Sequence, residues 1–96
     1  MMNLKFEWDK SKAKNNDAKH GVRFEWAKKV FKDPFAIEFI DDRQNYGEDR
    51  FVIIGMIEGH IFYVAYTERN DIIRIISARR ATKHEQEAYF KDTKIY

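Results

Sequence analysis

Two adjacent arginines, Arg79 and Arg80, stand between an apolar stretch and a helix start in the segment IISARRATKHEQEAYF. Thr82 and Glu85 have the spacing of a capping box, in which each side chain bonds the backbone N–H of the other residue, so a helix is predicted to begin near Lys83. A guanidinium group can donate hydrogen bonds to two phosphate oxygens at once, and the free N–H groups at the start of a helix also bind anions. The junction is therefore predicted to bind phosphate, unless Glu85 itself occupies the helix start and pairs with one arginine.

Four stretches in the middle of the chain have the length and composition of strands: FAIEFID, RFVIIGMIE, HIFYVAYTER and IIRIISAR. The last three are joined by Glu58-Gly59 and Asn70-Asp71, and two residues is the length of a tight hairpin loop. An antiparallel sheet of about four strands is therefore predicted.

The hairpin loops set a register that brings further arginines together. Arg50, Thr67 and Arg74 fall in one row across three strands, and Arg69 lies two residues further along the same face. Like charges side by side destabilise a sheet, so the row needs either acidic partners or an anionic ligand. The nearby carboxylates that could neutralise it are Glu48, Asp49, Glu68 and Asp71.

Strand alternation predicts how the two junction arginines point. If the last strand is regular, Arg74 and Arg80 lie on one side of the sheet and Arg79 lies on the other. The same register pairs Val64 with Ser77 on the opposite face, which is the better core. Arg80 is therefore predicted to share a concavity with Arg74, whereas a one-residue bulge would spoil the arginine row.

Two helices and a short strand, LKFEW, precede the sheet stretches. The first helix, KSKAKNNDAKH, lies between Asp9, a good N-cap, and Gly21, a good residue for the turn after a helix. The second has apolar residues at helical spacing from Phe24 to Phe31 and ends at Asp33-Pro34. The predicted fold class is α+β, with the N-terminal helices packed on the antiparallel sheet and a helix at the C-terminus.

The composition is that of one small domain spanning residues 1–96, with 44% hydrophobic and 35% charged residues. A net charge of only +2 means that any basic site must arise from the placement of charges. The chain has no cysteine, so a disulfide framework and a thiolate metal site are excluded. His60 and His84 have no partner at ligand spacing, so neither a metal nor another cofactor is expected. Because no stretch reaches the roughly 20 apolar residues of a membrane span, a cytoplasmic location without membrane contact is predicted.

Four segments resemble the BrnT family of toxins from type II toxin–antitoxin operons, whose fold is similar to that of RelE-type ribonucleases: FEWDKSKAKNNDAKHGVRFEWAKKVF, RFVIIG, VAYTER and IRIISARRATKHEQEAY. The most specific pieces are the helix end from Asn16 to Gly21 and the junction from Ser77 to Arg80. The resemblance implies a RelE-like domain that acts as a metal-independent endoribonuclease toxin and inhibits translation and growth. It also implies a BrnA-like antitoxin, through which alone the protein would meet operator DNA.

The chemistry implied by this resemblance is attack of a ribose 2′-OH on the adjacent phosphate. It needs cations on the phosphoryl oxygens, a group that takes the 2′ proton and a group that protonates the leaving 5′ oxygen. The candidate catalytic cations are Arg50, Arg74, Arg79 and Arg80. His20, at a helix C-terminus where the dipole favours its cation, is the candidate acid, with Lys19 beside it. A helix cap or surface position is the alternative for His20.

Further residues are candidates for binding the RNA substrate. Lys12, Asn16 and Lys19 recur at i, i+4 and i+7 along the first helix, so they form a polar stripe that either faces RNA or is a solvated surface. Arg69 lies behind the arginine row, and Tyr63, on the arginine face, is the candidate for stacking an unpaired base.

A non-catalytic module that binds nucleic acid or protein through the same arginine-rich surface is the competing interpretation. The arginine-bearing face of the sheet would also carry five apolar residues: Val52, Ile54, Met56, Ile61 and Ile76. Such a face is too apolar to leave uncovered, so the antitoxin is expected to lie against it or against its rim.

Overall fold

The computed structural model describes residues 4–43 and 47–92. The elements in chain order are β1 (Lys5–Glu7), α1 (Lys10–His20), α2 (Phe24–Ala27), a 3-10 segment (Lys28–Lys32), β2 (Ile37–Ile40), β3 (Phe51–Ile57), β4 (His60–Arg69), β5 (Ile72–Arg80) and α3 (Lys83–Asp92). One sheet holds the five strands in the order β1-β5-β4-β3-β2, with β1 parallel to β5 and the other neighbours antiparallel. The predicted α+β architecture is confirmed, and the short first strand joins the predicted four as a fifth.

Both ends of α1 are fixed by the residues that the sequence indicated. The side chain of Asp9 accepts a hydrogen bond from the backbone N–H of Lys12 at 2.9 Å. Gly21 ends the helix in the left-handed region, with φ of 68°, and its N–H donates to the carbonyl of Asp17 at 2.8 Å. The caps therefore place His20 in the last turn of the helix.

The two hairpins have the predicted loops and registers. Their central residues all have positive φ angles, as in type I′ turns: Glu58 at 50°, Gly59 at 85°, Asn70 at 52° and Asp71 at 66°. Ile57 pairs with His60, and Arg69 pairs with Ile72. Thr67 lies opposite Arg74, as the arginine row requires.

A β-bulge in β5 shifts the register beyond this row. Tyr66 of β4 pairs with Ile75, but the next pair along the two strands joins Ala65 to Ser77. Ile76 is thus the extra residue of β5, and every residue that follows it occupies the opposite face from the one that a regular strand would give.

The prediction that Val64 pairs with Ser77 is therefore wrong, because Val64 pairs with Ala78. Ala78 is fully buried in the core, whereas Ser77 on the other face is only partly buried. The physical reason is that Ser77 at the core position would bury a hydroxyl group, and burying a polar group without a partner is costly. The bulge also exchanges the sides of Arg79 and Arg80.

One face of the sheet, which we call the α1–α2 face, packs against the two N-terminal helices. The buried helix residues there are Phe24 and Ala27 of α2, with Val30 of the 3-10 segment. They pack against sheet residues that include Ile53, Phe62, Val64, Tyr66, Ile75 and Ala78. The predicted anchor from Phe24 to Phe31 is confirmed, although its second half is a 3-10 segment instead of α-helix.

The opposite face, which we call the α3 face, is covered by the C-terminal helix. Val52 is 0% exposed and Ile54 2% exposed, and both pack in one cluster with Tyr89 of α3. The expectation of an apolar face left open for an antitoxin is therefore wrong at this part of the sheet, since the chain covers it with its own helix. Thr67 is also only 2% exposed, so the centre of the arginine row is buried.

Asp33 ties α3 to the sheet. Its Oδ2 atom accepts hydrogen bonds from the Met56 backbone N–H and from the Tyr89 hydroxyl, each at 2.7 Å, and its Oδ1 atom accepts from the Phe35 N–H at 2.9 Å. Burial alone would raise the pKa of Asp33, but these hydrogen bonds together hold it below its usual value. The carboxylate thus joins the end of the 3-10 segment, β3 and α3.

Candidate active site

Arg79 is on the α3 face and is fully engaged with its own chain. Its guanidinium donates to both carboxylate oxygens of Glu85, at 2.8 and 2.9 Å. The central carbon of the guanidinium, Cζ, lies 4.0 Å from the centre of the Tyr63 ring. Glu85 also completes the capping box, because it accepts from the Thr82 N–H at 2.9 Å while its own N–H donates to the Thr82 hydroxyl at 3.2 Å. The alternative in which Glu85 occupies the helix start and pairs with one arginine is confirmed.

Arg79 and Glu85 each shift the pKa of the other. Hydrogen bonding to Glu85 raises the pKa of Arg79 against the opposing effect of burial. Burial would raise the pKa of Glu85, but the bonds from Arg79 and Thr82 lower it overall. Both groups are therefore held in their charged forms, and the charge of Arg79 is largely neutralised.

Arg80 lies on the α1–α2 face and is exposed. It pairs with Phe62 across the sheet, with its guanidinium carbon 5.7 Å from the centre of that ring. Its Nη2 atom lies 3.1 Å from Nδ1 of His60. Within the described part of the chain, Arg80 forms no ion pair with a carboxylate. The prediction that Arg80 shares a concavity with Arg74 is wrong, because the bulge sends it to the other face.

The contact with Arg80 places a ring nitrogen of His60 beside a group that can only donate. Nδ1 accepts this hydrogen bond in the tautomer that carries its proton on Nε2. His60 is exposed at the start of β4, so an imidazole lies directly beside an exposed cation.

A basic groove on the α1–α2 side contains Arg80 together with the end of α1. His20 lines it, and so do five cationic side chains: Arg23, Lys28, Lys29, Lys32 and Arg80. Glu25 is the carboxylate among its lining residues, and it pairs with Lys28 at 3.1 Å. Trp26 and Phe62 add aromatic surface, with ring centres 4.7 Å apart. The groove therefore combines positive charge, aromatic rings and a histidine, which suits an RNA strand.

The other predicted arginines are outside this groove and lie next to carboxylates. Arg74 pairs with Glu7 at 3.1 Å, and Arg69 pairs with Glu48 at 3.0 Å. Arg50 is half-buried just before β3, where its carbonyl accepts from the Asp41 N–H at 2.8 Å. Acidic partners, one of the two interpretations of the arginine row, are thus present for Arg69 and Arg74.

Asp41 and Arg43 form an unpredicted ion pair at the edge of the α3 face. Arg43 donates to both oxygens of Asp41, at 2.8 and 2.9 Å, and these bonds hold the pKa of Asp41 below its usual value. Arg43 also lies 3.4 Å from the hydroxyl of Tyr63, which is only 9% exposed beneath Arg79. Tyr63 is thus covered and does not offer an open ring to a base.

The polar stripe of α1 does not face a ligand as a whole. Asn16 is 7% exposed, and its amide is hydrogen-bonded to backbone groups of the same chain, so its predicted contact with RNA is wrong. Lys12 and Lys19 are exposed, as is His20. Among these predicted residues, His20 is the one that lines the groove with Arg80.

Sequence reasoning missed two residues that line the groove, Arg23 and Trp26, and also His60, which contacts Arg80 from the start of β4. The signal for His60 was present in its alternation with Phe62, since both lie on the same face of β4. It could be used only once the bulge had placed Arg80 opposite Phe62. Arg23 is exposed and Trp26 is half-buried against the core, and neither position gave a separate pattern in the sequence.

Residues 8–85 match the family model described as "Ribonuclease toxin, BrnT, of type II toxin-antitoxin system". The chain belongs to the BrnT family. Membership carries with it a ribonuclease activity, an RNA target and an antitoxin partner at the level that the family description states. A search of curated proteins found no significant match.

The BrnT match includes every groove residue that carries the site. His20, Arg23 and Arg80 of the groove lie within residues 8–85, as do His60, which contacts Arg80, and the capping box that ends at Glu85. Most of α3, including the buried Tyr89, lies beyond it. Apart from Leu4 and Phe6, the residues that line the groove thus belong to the part of the chain that matches the BrnT family.

No group of three or more His, Cys, Asp or Glu side chains could hold a metal ion in residues 4–43 and 47–92. No helix in the same ranges is long and apolar enough to cross a membrane.

Proposed function

We propose that this chain is a metal-independent endoribonuclease that cleaves RNA by attack of a 2′-OH on the adjacent phosphate, with Arg80 as the principal phosphate-binding cation. The observation that supports this most is the position of Arg80. It is exposed in a basic groove with His20 and has no carboxylate partner among the described residues, whereas Arg74 and Arg79 are paired with Glu7 and Glu85. A cation that is not neutralised by its own chain is available to a phosphate.

Arg80 and His20 of the groove, with His60 beside Arg80, have the chemistry for each step of the reaction. The guanidinium of Arg80 binds the non-bridging oxygens, where negative charge grows in the transition state. His20 protonates the 5′ oxygen as its bond to phosphorus breaks. His60 takes the 2′ proton, since its Nδ1 atom becomes a free acceptor when Arg80 turns from the imidazole to the phosphate. The products are a 2′,3′-cyclic phosphate and a 5′-hydroxyl end.

The remaining predicted residues take supporting places in this proposal. Lys12 and Lys19, exposed on α1, attract the RNA backbone by charge. Arg50, Arg69, Arg74 and Arg79 lie away from the groove, and we infer that they support the sheet and the helix cap instead of the transition state.

The cellular role follows from the same activity. We infer that RNA cleavage in the cytoplasm inhibits translation and growth until a BrnA-like antitoxin binds the toxin. The antitoxin would also connect the complex to operator DNA. This part of the proposal is supported by the family description together with the resemblance of the sequence segments.

The deciding experiment is incubation of the purified chain with RNA in EDTA, followed by analysis of the product ends. Cyclic phosphate ends are expected from the unmodified chain, and Arg80→Ala should lower kcat by about 100- to 1000-fold, the size of effect seen when one preorganised donor is removed. Lys83→Ala is the control, because it removes one exposed cation outside the groove. RNA binding without any cleavage would instead support the non-catalytic module, and products with linear phosphate ends would contradict the 2′-OH mechanism.

A further inference from the structure

Asn16 is the buried residue of α1, a mostly exposed polar helix, and both polar atoms of its amide are hydrogen-bonded. Its Nδ2 group donates to the Val22 carbonyl at 2.9 Å and to the Ala78 carbonyl at 2.8 Å. Its Oδ1 atom accepts from the Ala78 N–H at 3.1 Å. Since only 7% of Asn16 is exposed, these bonds are shielded from water, where losing a partner is costly.

The contact with Ala78 completes an edge of the sheet. β1 pairs with β5 only at Ile72, Ile73 and Arg74, so at Ala78 the outer edge of β5 faces α1 instead of a strand. The amide of Asn16 bonds both the N–H and the carbonyl of that residue, as a neighbouring strand would do. A primary amide has two N–H donors and an acceptor oxygen, so asparagine can make the two donated bonds and the one accepted bond of this position, whereas a hydroxyl group has a single donor.

The same amide connects the two sides of the groove. Val22 follows the C-terminus of α1, two residues after His20. Ala78 lies two residues before Arg80, on the same face of β5 and beyond the bulge. The relative position of His20 and Arg80 is therefore set through one side chain that bonds the backbone near each.

The register of β5 beyond the bulge also determines which arginine faces the groove. A slip of one residue in β5 would bring Ser77 opposite Val64 and turn Arg79 to the groove in place of Arg80. By bonding Ala78 on both backbone groups, Asn16 holds β5 in the observed register.

We propose that Asn16 is a positioning residue for RNA cleavage, which holds Arg80 in register and at a fixed distance from His20. This inference rests on the proposed function of Arg80. Asn16 touches no substrate, and it acts through the backbone at Ala78 and Val22. Because misplacement of a reacting group by about 1 Å can cost roughly 100-fold in rate, loss of this contact should lower kcat and leave KM nearly unchanged.

A double-mutant cycle with Asn16→Ala and Arg80→Ala tests the proposal. All kinetics are measured on the full chain, below the unfolding transition of each variant and after circular dichroism has established the native fold. Asn16→Ala should lower kcat by about 10- to 100-fold in the unmodified background, but by less than about 3-fold when Arg80 is already alanine. Effects that multiply in the double variant would overturn the positioning role, because Asn16 would then act independently of Arg80.

Two further variants keep the test decisive if Asn16→Ala does not fold. Asn16→Asp takes its place in the cycle, since it preserves the size of the side chain and places a carboxylate against the two carbonyls. Its kcat relative to the unmodified chain should rise on acidification, because a protonated carboxyl regains one donor and one acceptor; a ratio independent of pH would count against the proposal. Tyr89→Phe, which removes one hydrogen bond beneath α3, is the stability control and should leave kcat unchanged.

The outcomes separate this inference from the function on which it rests. If the unmodified chain does not cleave RNA, or if Arg80→Ala cleaves normally, the proposed function fails and the positioning role fails with it. If Arg80→Ala abolishes cleavage but Asn16→Ala leaves kcat unchanged, only the positioning role is overturned.

Discussion

The Nη2 atom of Arg80 lies 3.1 Å from Nδ1 of His60, so a cation that can only donate and an imidazole nitrogen that can accept are direct neighbours. This contact joins the last residue of β5 to the first residue of β4. It leads to a prediction for each of the two residues.

His60→Ala should lower kcat for RNA cleavage by about 100-fold, because removing a group that transfers a proton in the transition state costs at least that much. The thermal unfolding midpoint should hardly change, since His60 is exposed. His84→Ala, which removes an exposed histidine of α3, is the matched control and should cleave normally. Equal activity of the two variants would exclude His60 from the reaction.

Arg80→Lys should recover little of the activity lost in Arg80→Ala. A lysine keeps the positive charge but lacks the planar fork that binds two phosphate oxygens. Single-turnover cleavage of a short RNA by the two variants is the measurement. A lysine variant with nearly full activity would mean that charge alone is needed at this position.

Glu85→Ala should destabilise the fold without stopping cleavage. The substitution removes the bond from the Thr82 N–H and the partner of Arg79, while the backbone N–H of residue 85 still donates to the Thr82 hydroxyl; the expected cost is about 1 kcal/mol for the lost hydrogen bond and more for the partly buried cation. Because Arg79 lies on the α3 face, kcat should stay within about 2-fold of the unmodified chain. A loss of cleavage as large as that of Arg80→Ala would show that Arg79 takes part in the reaction after all.

Gly55→Ala should lower the free energy of unfolding by about 1 to 3 kcal/mol, the usual cost of overpacking a core. A Cβ atom at Gly55 would lie 2.6 Å from Cγ2 of Val30, which is fully buried, and 3.1 Å from Cβ of Ala36. Urea unfolding of the two chains gives the difference. An unchanged midpoint would mean that the 3-10 segment can move away from β3.

Stability should decrease in acid partly through Asp33. The pKa of Asp33 is lower in the folded chain than in the unfolded chain. Its contribution to the free energy of unfolding is therefore fully present at a pH above its pKa in the unfolded chain. That contribution is lost as the pH falls through its pKa in the folded chain. The unfolding midpoint should therefore fall more steeply below about pH 4 in the unmodified chain than in Asp33→Asn. Tyr89→Phe, which removes one of the three donors, should give an intermediate slope. Identical slopes for all three chains would exclude Asp33 as a source of acid sensitivity.

Local patterns predicted much of this fold from the sequence. Asp9 and Gly21 cap α1 as expected, because capping depends on residues within a few positions of each other. The two hairpin loops likewise fixed the registers on both sides of β4 near the turns. The Thr82 and Glu85 capping box belongs to the same class of short-range signal.

The faces of the sheet on which Arg79 and Arg80 lie could not be predicted from such local patterns. They depend on whether Ser77 or Ala78 enters the core, and that choice is made by packing against distant helices and by the bond to Asn16. Asn16 itself was hidden, because a buried asparagine in a polar helix has the same sequence pattern as an exposed one. The cover over the α3 face was missed because it depends on Tyr89, a single aromatic residue in a helix with little apolar periodicity.

The bulge at Ile76 has a consequence for chain length. Ile75 and Ser77 pair with successive residues of β4, Tyr66 and Ala65, so removing Ile76 would leave a regular strand with all later pairs unchanged. A deletion of Ser77 or Ala78 that also straightens the strand leaves Arg79 and Arg80 opposite the same residues of β4, whereas a deletion that keeps the bulge turns both arginines over. The bulge thus gives β5 one residue of slack immediately before the two arginines.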